Sequence, residues 1–292
     1  MGIYRTTISR MLTQAKKEGI VKIDIVGYDS EIFALEEYFK EKYELHQVDI
    51  TPSDSGDSEN EKNEALAQSA ATFVRNIILS NQVIGISWGS TLSKMIEKLE
   101  DRYVENTFFC PLAGGPSHIN SKYHVNTLVY EMAKKFNGKS SFLNATVIQK
   151  NEKLAQSIFQ SKEFKDTIDS WERLDVAVVG IGGDLDEGGS QWRDLLTTKD
   201  YQILKKEGAV GECCCRFLDK NGMLISHELQ SRTIGLPLEK MAKIPHSIAI
   251  ARGNQKVQAL LAMIRKKYIN GIVSDRETIV NILHLDNDYT FQ

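Results

Sequence analysis

Apolar and polar positions along this chain alternate between two rhythms, and the switch from one to the other recurs from end to end. Residues 83–87, VIGIS, form a short apolar run rich in β-branched side chains, the mark of a buried parallel strand. Immediately after, Leu92, Met95, Ile96 and Leu99 fall on one face of a predicted amphipathic helix. Upstream, a polar helix is predicted over 30–42, then a strand in ELHQVDI, then an exposed acidic loop TPSDSGDSENEKN, then a helix over about 64–79. Downstream come NTFFCPLAGG, a helix over 125–136, SSFLNATVIQ, a helical pair over 152–170, and LDVAVVGIGG. The stretch AIARGNQKVQALLAMIRKKYINGIVSD repeats strand, glycine, helix, strand. Strands alternating with helices predict an α/β fold: a Rossmann-like, mostly parallel sheet with helices on both faces. Ligands of such sheets bind beyond the carboxyl ends of the strands.

The candidate chemistry sits at those strand ends. Gly89, Ser90 and Thr91 open the helix after VIGIS, where unpaired backbone N–H groups and the helix dipole favour an anion. A phosphate or carboxylate suits that place; the alternative is that Ser90 or Thr91 caps its own helix. Gly114 and Gly115 follow FFCPLA, and Gly180, Gly182 and Gly183 follow VAVV. Each glycine alone reads as a turn-maker, whereas several at one edge of one sheet read as a pocket. GAVGECCCRFLDKNGMLI reads as two strands joined at Asn221-Gly222, with Glu212 and Arg216 on one face, either as an ion pair or as a hydroxyl-binding carboxylate and an anion-binding guanidinium. Lys256 lies in the first turn of its helix, a place unfavourable for a cation unless an anion is near.

Composition narrows the class. The 292 residues are 41% hydrophobic, enough for one large domain with a small appendage. No apolar run of about 18 residues and no signal-peptide core is present, so neither a membrane nor secretion is expected and the cytoplasm is the expected location. Cys110 falls in a strand, and the consecutive Cys213, Cys214 and Cys215 suit neither a metal site nor an ordinary disulfide; they read as small strand residues, with a reactive thiol as the lesser alternative. No metal site and no cofactor motif is expected.

The net charge of −3 is unevenly spread: residues 1–23 carry Arg5, Arg10, Lys16, Lys17 and Lys22 against Glu18, a net +4, which leaves −7 for the remainder. Thr6 or Thr7 can cap a helix with Ile8, Met11, Leu12 and Ala15 on one face, ending at Gly19. Arg5, Thr6, Thr7, Ser9 and Arg10 then crowd its first turn as in a recognition helix, and the strand-like IVKIDI follows. That is the second half of a winged helix-turn-helix, with no positioning helix before it; a charged solvated helix is the alternative.

The ordered set RTTISRMLTQAKKEGIV, ISWGSTL, PLAGG followed by Asn126, VVGIGG, GAVGECCCRFLDKNG, SRTIGL, IPHSIAIARGNQKVQALLAMI and NGIVSD covers nearly the whole chain. In this the chain resembles bacterial transcriptional regulators of the SorC family, the SorC/DeoR type. The resemblance implies a partial helix-turn-helix over 1–25 and an effector domain over 26–292, similar in fold to sugar-phosphate isomerases, deaminases and CoA-transferases, that binds a phosphorylated sugar and controls operator binding. It assigns the phosphate to Gly89, Ser90 and Thr91. Gly114, Gly115, Gly182 and Gly183 would line the pocket, Asn126, Glu212 and Arg216 would read hydroxyls or phosphate, and Lys256 would close over the anion. Arg5, Thr6, Thr7, Ser9, Arg10, Lys16 and Lys17 would meet DNA, weakly for this chain as it stands, in a homodimer or homotetramer. Two departures stand out: the incomplete DNA reader, and CCC where the family has other small or apolar residues and a Gly before the Arg. The competing class is a sugar-phosphate isomerase or deaminase, whose acid–base groups would be drawn from Asp184, Asp186, Glu187 and the histidines.

Overall fold

A computed structural model describes residues 11, 29–52, 56–115, 121–183, 185 and 196–292. The chain divides into two compact units, residues 1–34 and 35–292. Of the first, Met11 and the start of helix α1 (Ser30–Tyr43) are described, with the Asp29 carboxylate accepting the Glu31 N–H at 2.8 Å. The proposed DNA contacts Arg5, Thr6, Thr7, Ser9, Arg10, Lys16 and Lys17 lie outside the described residues, as do Asp184, Asp186 and Glu187.

The second unit is built on a seven-stranded sheet in which every pair is parallel. Its strands are β1 (Gln47–Thr51), β2 (Val83–Ile86), β3 (Phe108–Pro111), β4 (Lys139–Ser140), β5 (Val176–Gly180), β8 (His246–Ile250) and β9 (Gly271–Asp275). They lie in the order β1-β9-β8-β5-β2-β3-β4. From β2 the chain steps outward through β3 to β4, then returns to β5 on the other side of β2 and steps the opposite way. Right-handed crossovers therefore place the helices of the two series on opposite faces. Helices α2 (Glu59–Ile77), α3 (Ser90–Lys98) and α4 (Val125–Phe136) pack together in sequence, as do α10 (Val257–Arg265) and α11 (Arg276–Leu285). Covered on both faces, strands need no polar side; all five residues of β9 are buried. Phe109 of β3 stacks on Phe136 of α4 with ring centroids 5.7 Å apart. Helices α5 (Glu152–Phe159) and α6 (Lys162–Trp171) lead back to β5, and the Trp171 indole N–H donates to the Pro111 carbonyl at 2.9 Å.

Three local expectations are corrected. Helix α2 begins at Glu59, inside the stretch read as an acidic loop, because Ser58 and Glu61 form a capping box. SSFLNATVIQ contributes only the end of β4 and isolated bridges at Thr146 and Ile148. In the antiparallel pair β6 (Gly211–Cys213) and β7 (Arg216–Leu218), the turn is Cys214-Cys215, with φ of 54° and 57°. Two consecutive positive φ values are those of the tight hairpin turn whose twist matches the strands. Glu212 and Arg216 are thus on different strands, and two of the three cysteines are turn residues. Asn221-Gly222 makes a second turn, closed by the Gly222 N–H to the Asp219 carbonyl at 2.9 Å. The remaining helices are α7 (Thr198–Lys206), α8 (His227–Ser231) and α9 (Leu238–Met241).

Candidate functional site

Because the sheet is parallel, the segments after β2, β3, β5 and β8 emerge at one edge, and the order reverses between β2 and β5. A crevice forms at such a switch point. Two helical starts face it. Helix α3 has Gly89 as its N-cap at φ 131°, ψ 165°, with no side-chain cap. A side chain at that φ is strained, so glycine alone fits comfortably there. The first helical hydrogen bond runs from the Ser93 N–H to the Gly89 carbonyl at 3.0 Å, which leaves the N–H groups of Ser90 and Thr91 without helical partners. Neither Ser90 nor Thr91 caps the helix. After β8, the 3-10 turn Asn254–Lys256 opens at Gly253, again without a side-chain cap, and leads into α10. Between the two, the Ser87 hydroxyl accepts the Gly180 N–H at 3.1 Å and ties the ends of β2 and β5 together.

Ser90 and Thr91 line a cleft of about 210 Å³ with Glu59, Asn63, Lys94, Arg252, Gln255 and Lys256. Arg252 sits at the β8 end and is fixed from behind: its Nε donates to the buried Asp275 carboxylate at 2.6 Å. Its Nη1 donates to Glu59 Oε2 at 2.8 Å and to Asn63 Oδ1 at 3.1 Å, and its Nη2 to Glu59 Oε1 at 3.2 Å. These carboxylates raise the Arg252 pKa against the opposing effect of burial, and Arg252 in turn lowers that of Glu59. Lys94 is held by Glu64 at 3.0 Å. Lys256 is half-buried, and burial pushes its pKa down although the nearby Glu212 carboxylate opposes this. The cleft thus brings three cationic side chains and a bare helix start to one place, with Glu59 as its own acidic group.

Glu212 is the buried carboxylate whose charge Lys256 feels. Its backbone pairs with Gly182 in both directions, at 2.9 and 3.1 Å, and its Oε2 accepts the Cys215 N–H at 2.7 Å. Burial nevertheless pushes its carboxyl up to about 7. A Cβ on Gly182 would stand 2.4 Å from Glu212 Oε1, and one on Gly183 would stand 2.2 Å from the Gln255 carbonyl. These glycines are small because the Glu212 side chain and the Gln255 backbone pack against them, and neither glycine lines the cleft.

The other sequence candidates do not line the cleft and find their partners elsewhere in the fold. Arg216 is buried, and its Nη atoms donate to the carbonyls of Gln230, Thr233 and Gly235 and to the Gln230 side chain at 2.8 to 3.3 Å. Both Asn126 groups are bound to the Leu143 backbone, at 3.2 and 3.0 Å. Gly114 lies against the Ala145–Val147 backbone and Gly115 against the His124 ring. The ion-pair reading of Glu212 with Arg216 gives way here: they form no ion pair, and both Nη atoms of the guanidinium donate to carbonyl oxygens. Sequence reasoning missed Arg252, Glu59, Asn63, Lys94 and Gln255. The legible signal was Arg252 itself, an arginine ending the apolar run IAIA. Among the described residues no cluster of metal-ligating side chains occurs, and no helix is long and apolar enough to cross a membrane.

The family model for a sugar-binding domain, Sugar-bind, matches residues 30–284. The sorbitol operon regulator of Klebsiella pneumoniae is 35% identical over 281 residues, 95% of this chain and 89% of that protein. This chain belongs to the SorC family. The solved full-length SorC structure from the same organism superposes with a TM-score of 0.83 at 34% identity, covering 97% of this chain and 90% of that one. A transcriptional regulator from Streptococcus pneumoniae TIGR4 gives a TM-score of 0.85 at 45% identity, covering 89% and 99%. Both relatives are named transcriptional regulators, one of them of a sorbitol operon, and their solved structures share this chain's parallel α/β fold.

Proposed function

We propose that this SorC-family chain regulates a carbohydrate operon in the cytoplasm by binding a phosphorylated sugar in the cleft at the β2, β5 and β8 ends, and that the bound effector shifts its affinity for operator DNA. The observation that carries this reading is the uncapped start of α3 opening onto Arg252 and Lys256. Backbone N–H groups at a helix start and a positive cleft together are the chemistry of a phosphate site. The phosphate sits on the amides and hydroxyls of Gly89, Ser90 and Thr91, Lys256 closes over it, and Gly182, Gly183 and Glu212 form the wall facing the sugar. Gly114, Gly115, Asn126 and Arg216 hold that wall in shape. The effector domain spans 26–292 and the DNA reader lies within 1–25, acting in a homodimer or homotetramer whose subunits read repeated half-sites. Switching requires only that effector bind one of two conformations better than the other.

The relative's name supplies the probe. Calorimetric titration should show D-sorbitol 6-phosphate, or another sugar monophosphate from a panel, binding where the parent sugar does not. Lys256→Met should weaken it by tenfold or more, the value of one charge-assisted hydrogen bond. The same phosphate should change operator affinity in a gel-shift assay. Steady conversion of the phosphate by the protein would place the cleft in an enzyme instead.

A further inference from the structure

Arg252 presents to the cleft the two-pronged edge that best recognises a phosphate, and in this structure a carboxylate of the same chain already occupies it. We propose that Glu59 is a built-in competitor for the effector's anion: it holds the Arg252 fork and is displaced when the phosphate takes the fork over. This rests on the phosphate reading of the cleft and adds to it both a binding residue, Arg252, and the contact that tunes its availability.

The two carboxylates on Arg252 are not equivalent. Asp275 is 2% exposed, ends β9, and its other oxygen accepts the Thr278 N–H at 3.0 Å, capping α11. It is built into the core and holds Nε in place. Glu59 is 76% exposed, sits in the first turn of α2, and bonds the Nη1 and Nη2 atoms in a bidentate fork at 2.8 and 3.2 Å. Release of Glu59 costs the protein little desolvation, because its carboxylate returns to water. The guanidinium cannot follow, since it is 6% exposed and anchored by Asp275. A phosphate monoester brings more negative charge and more acceptor oxygens than a carboxylate. It would also meet the Ser90 and Thr91 amides and Lys256, which line the same cleft and which Glu59 does not engage.

Displacement has a structural consequence. Helix α2 packs on α3, β1 and β9. Its capping box, Ser58 with Glu61, survives loss of the Glu59 contact, so the helix stays formed. What is lost is the tie between its first turn and the ends of β8 and β9. Effector occupancy is thereby read out as a change in how α2 is held, beside a bound phosphate at the start of α3.

The test is calorimetric titration of the full chain and of Glu59→Gln with inorganic phosphate and with D-sorbitol 6-phosphate. Removing the competing charge should tighten phosphate binding about fivefold, the scale of an exposed but well-oriented ion pair. Glu277→Gln, which makes the same charge change at the exposed carboxylate paired with Lys62, controls for a general electrostatic effect and should alter affinity less than twofold. Circular dichroism and a melting curve for each variant establish that the exposed substitution leaves the fold intact. Equal or weaker binding by Glu59→Gln, or the same tightening in Glu277→Gln, overturns the competition while leaving the phosphate site standing. Failure of inorganic phosphate and of every sugar monophosphate in the panel to bind any of the three proteins overturns the phosphate reading and the competitor with it.

Discussion

Helices α2 and α3 pack against each other, yet they start in opposite ways. Helix α2 is closed by Ser58, whose hydroxyl accepts the Glu61 N–H at 3.3 Å while Glu61 accepts the Ser58 N–H at 2.8 Å, and it carries Glu59 and Glu61 in its first turn. Helix α3 starts at bare Gly89 with no acidic residue in its first turn. Asn151, Ser161, Thr197 and Asp275 likewise close α5, α6, α7 and α11. The start before α10 is bare at Gly253, and the other described uncapped helices, α8 and α9, are only five and four residues long. Where a helix start has only itself to satisfy, this chain supplies a side chain. Where a start faces the cleft at the strand ends, it supplies glycine and nearby cations, and no side chain satisfies the first amides of the helix.

Unequal electrostatics should show first in pH dependence, the largest effect expected. Burial pushes the Glu212 carboxyl up to about 7, whereas an unfolded glutamate releases its proton near 4.5. Between those values the folded state holds the extra proton. Its contribution is therefore complete below pH 4.5 and is lost as pH rises through about 7, by at most about 3 kcal/mol. Urea denaturation across that window should show Glu212→Gln with a flatter stability profile than the parent chain, since the amide oxygen still accepts the Cys215 N–H. An unchanged profile would mean that the carboxylate is ionised in place.

Next in size is Gly89→Ala. Forcing a side chain to φ 131° costs about 1–3 kcal/mol of stability and should weaken sugar-phosphate binding at least tenfold, both measurable by denaturation and calorimetry. Ser58→Ala makes the contrasting change at α2. It should cost about 1 kcal/mol, lower the melting temperature by about 2–4 °C, and leave phosphate affinity within twofold. If both variants lowered affinity alike, the difference between the two starts would carry no functional meaning.

Much of this was legible in the sequence because periodicity reports packing. Helix α4 runs over 125–136 as its apolar spacing predicts, and the parallel sheet follows from strands too apolar to face water. The bare start of α3 was legible for the same reason, as a strand that ends in Gly-Ser before a new period begins. The start of α2 was masked by acidic composition: the Ser58–Glu61 box lies inside a stretch that looks like a solvated loop, though its spacing is the mark of a helix start. The hairpin was misplaced because Asn-Gly is the stronger local signal, while tertiary contacts put Cys214 and Cys215 into positive φ. Arg216 and Arg252 show the limit most sharply. Both follow small residues in strand-like runs, and only the fold distinguishes the one bound to four carbonyl oxygens from the one held at the mouth of the cleft.

We propose that the amides at the start of α3 hold the effector's phosphate. A crystal of the full chain soaked with D-sorbitol 6-phosphate, and a second soaked with inorganic phosphate, test it directly. Phosphate oxygens should lie about 2.7–3.2 Å from the Ser90 and Thr91 N–H nitrogens, with Lys256 turned toward them. A phosphate bound elsewhere in the protein, with the Gly89–Thr91 amides left to water, would contradict it.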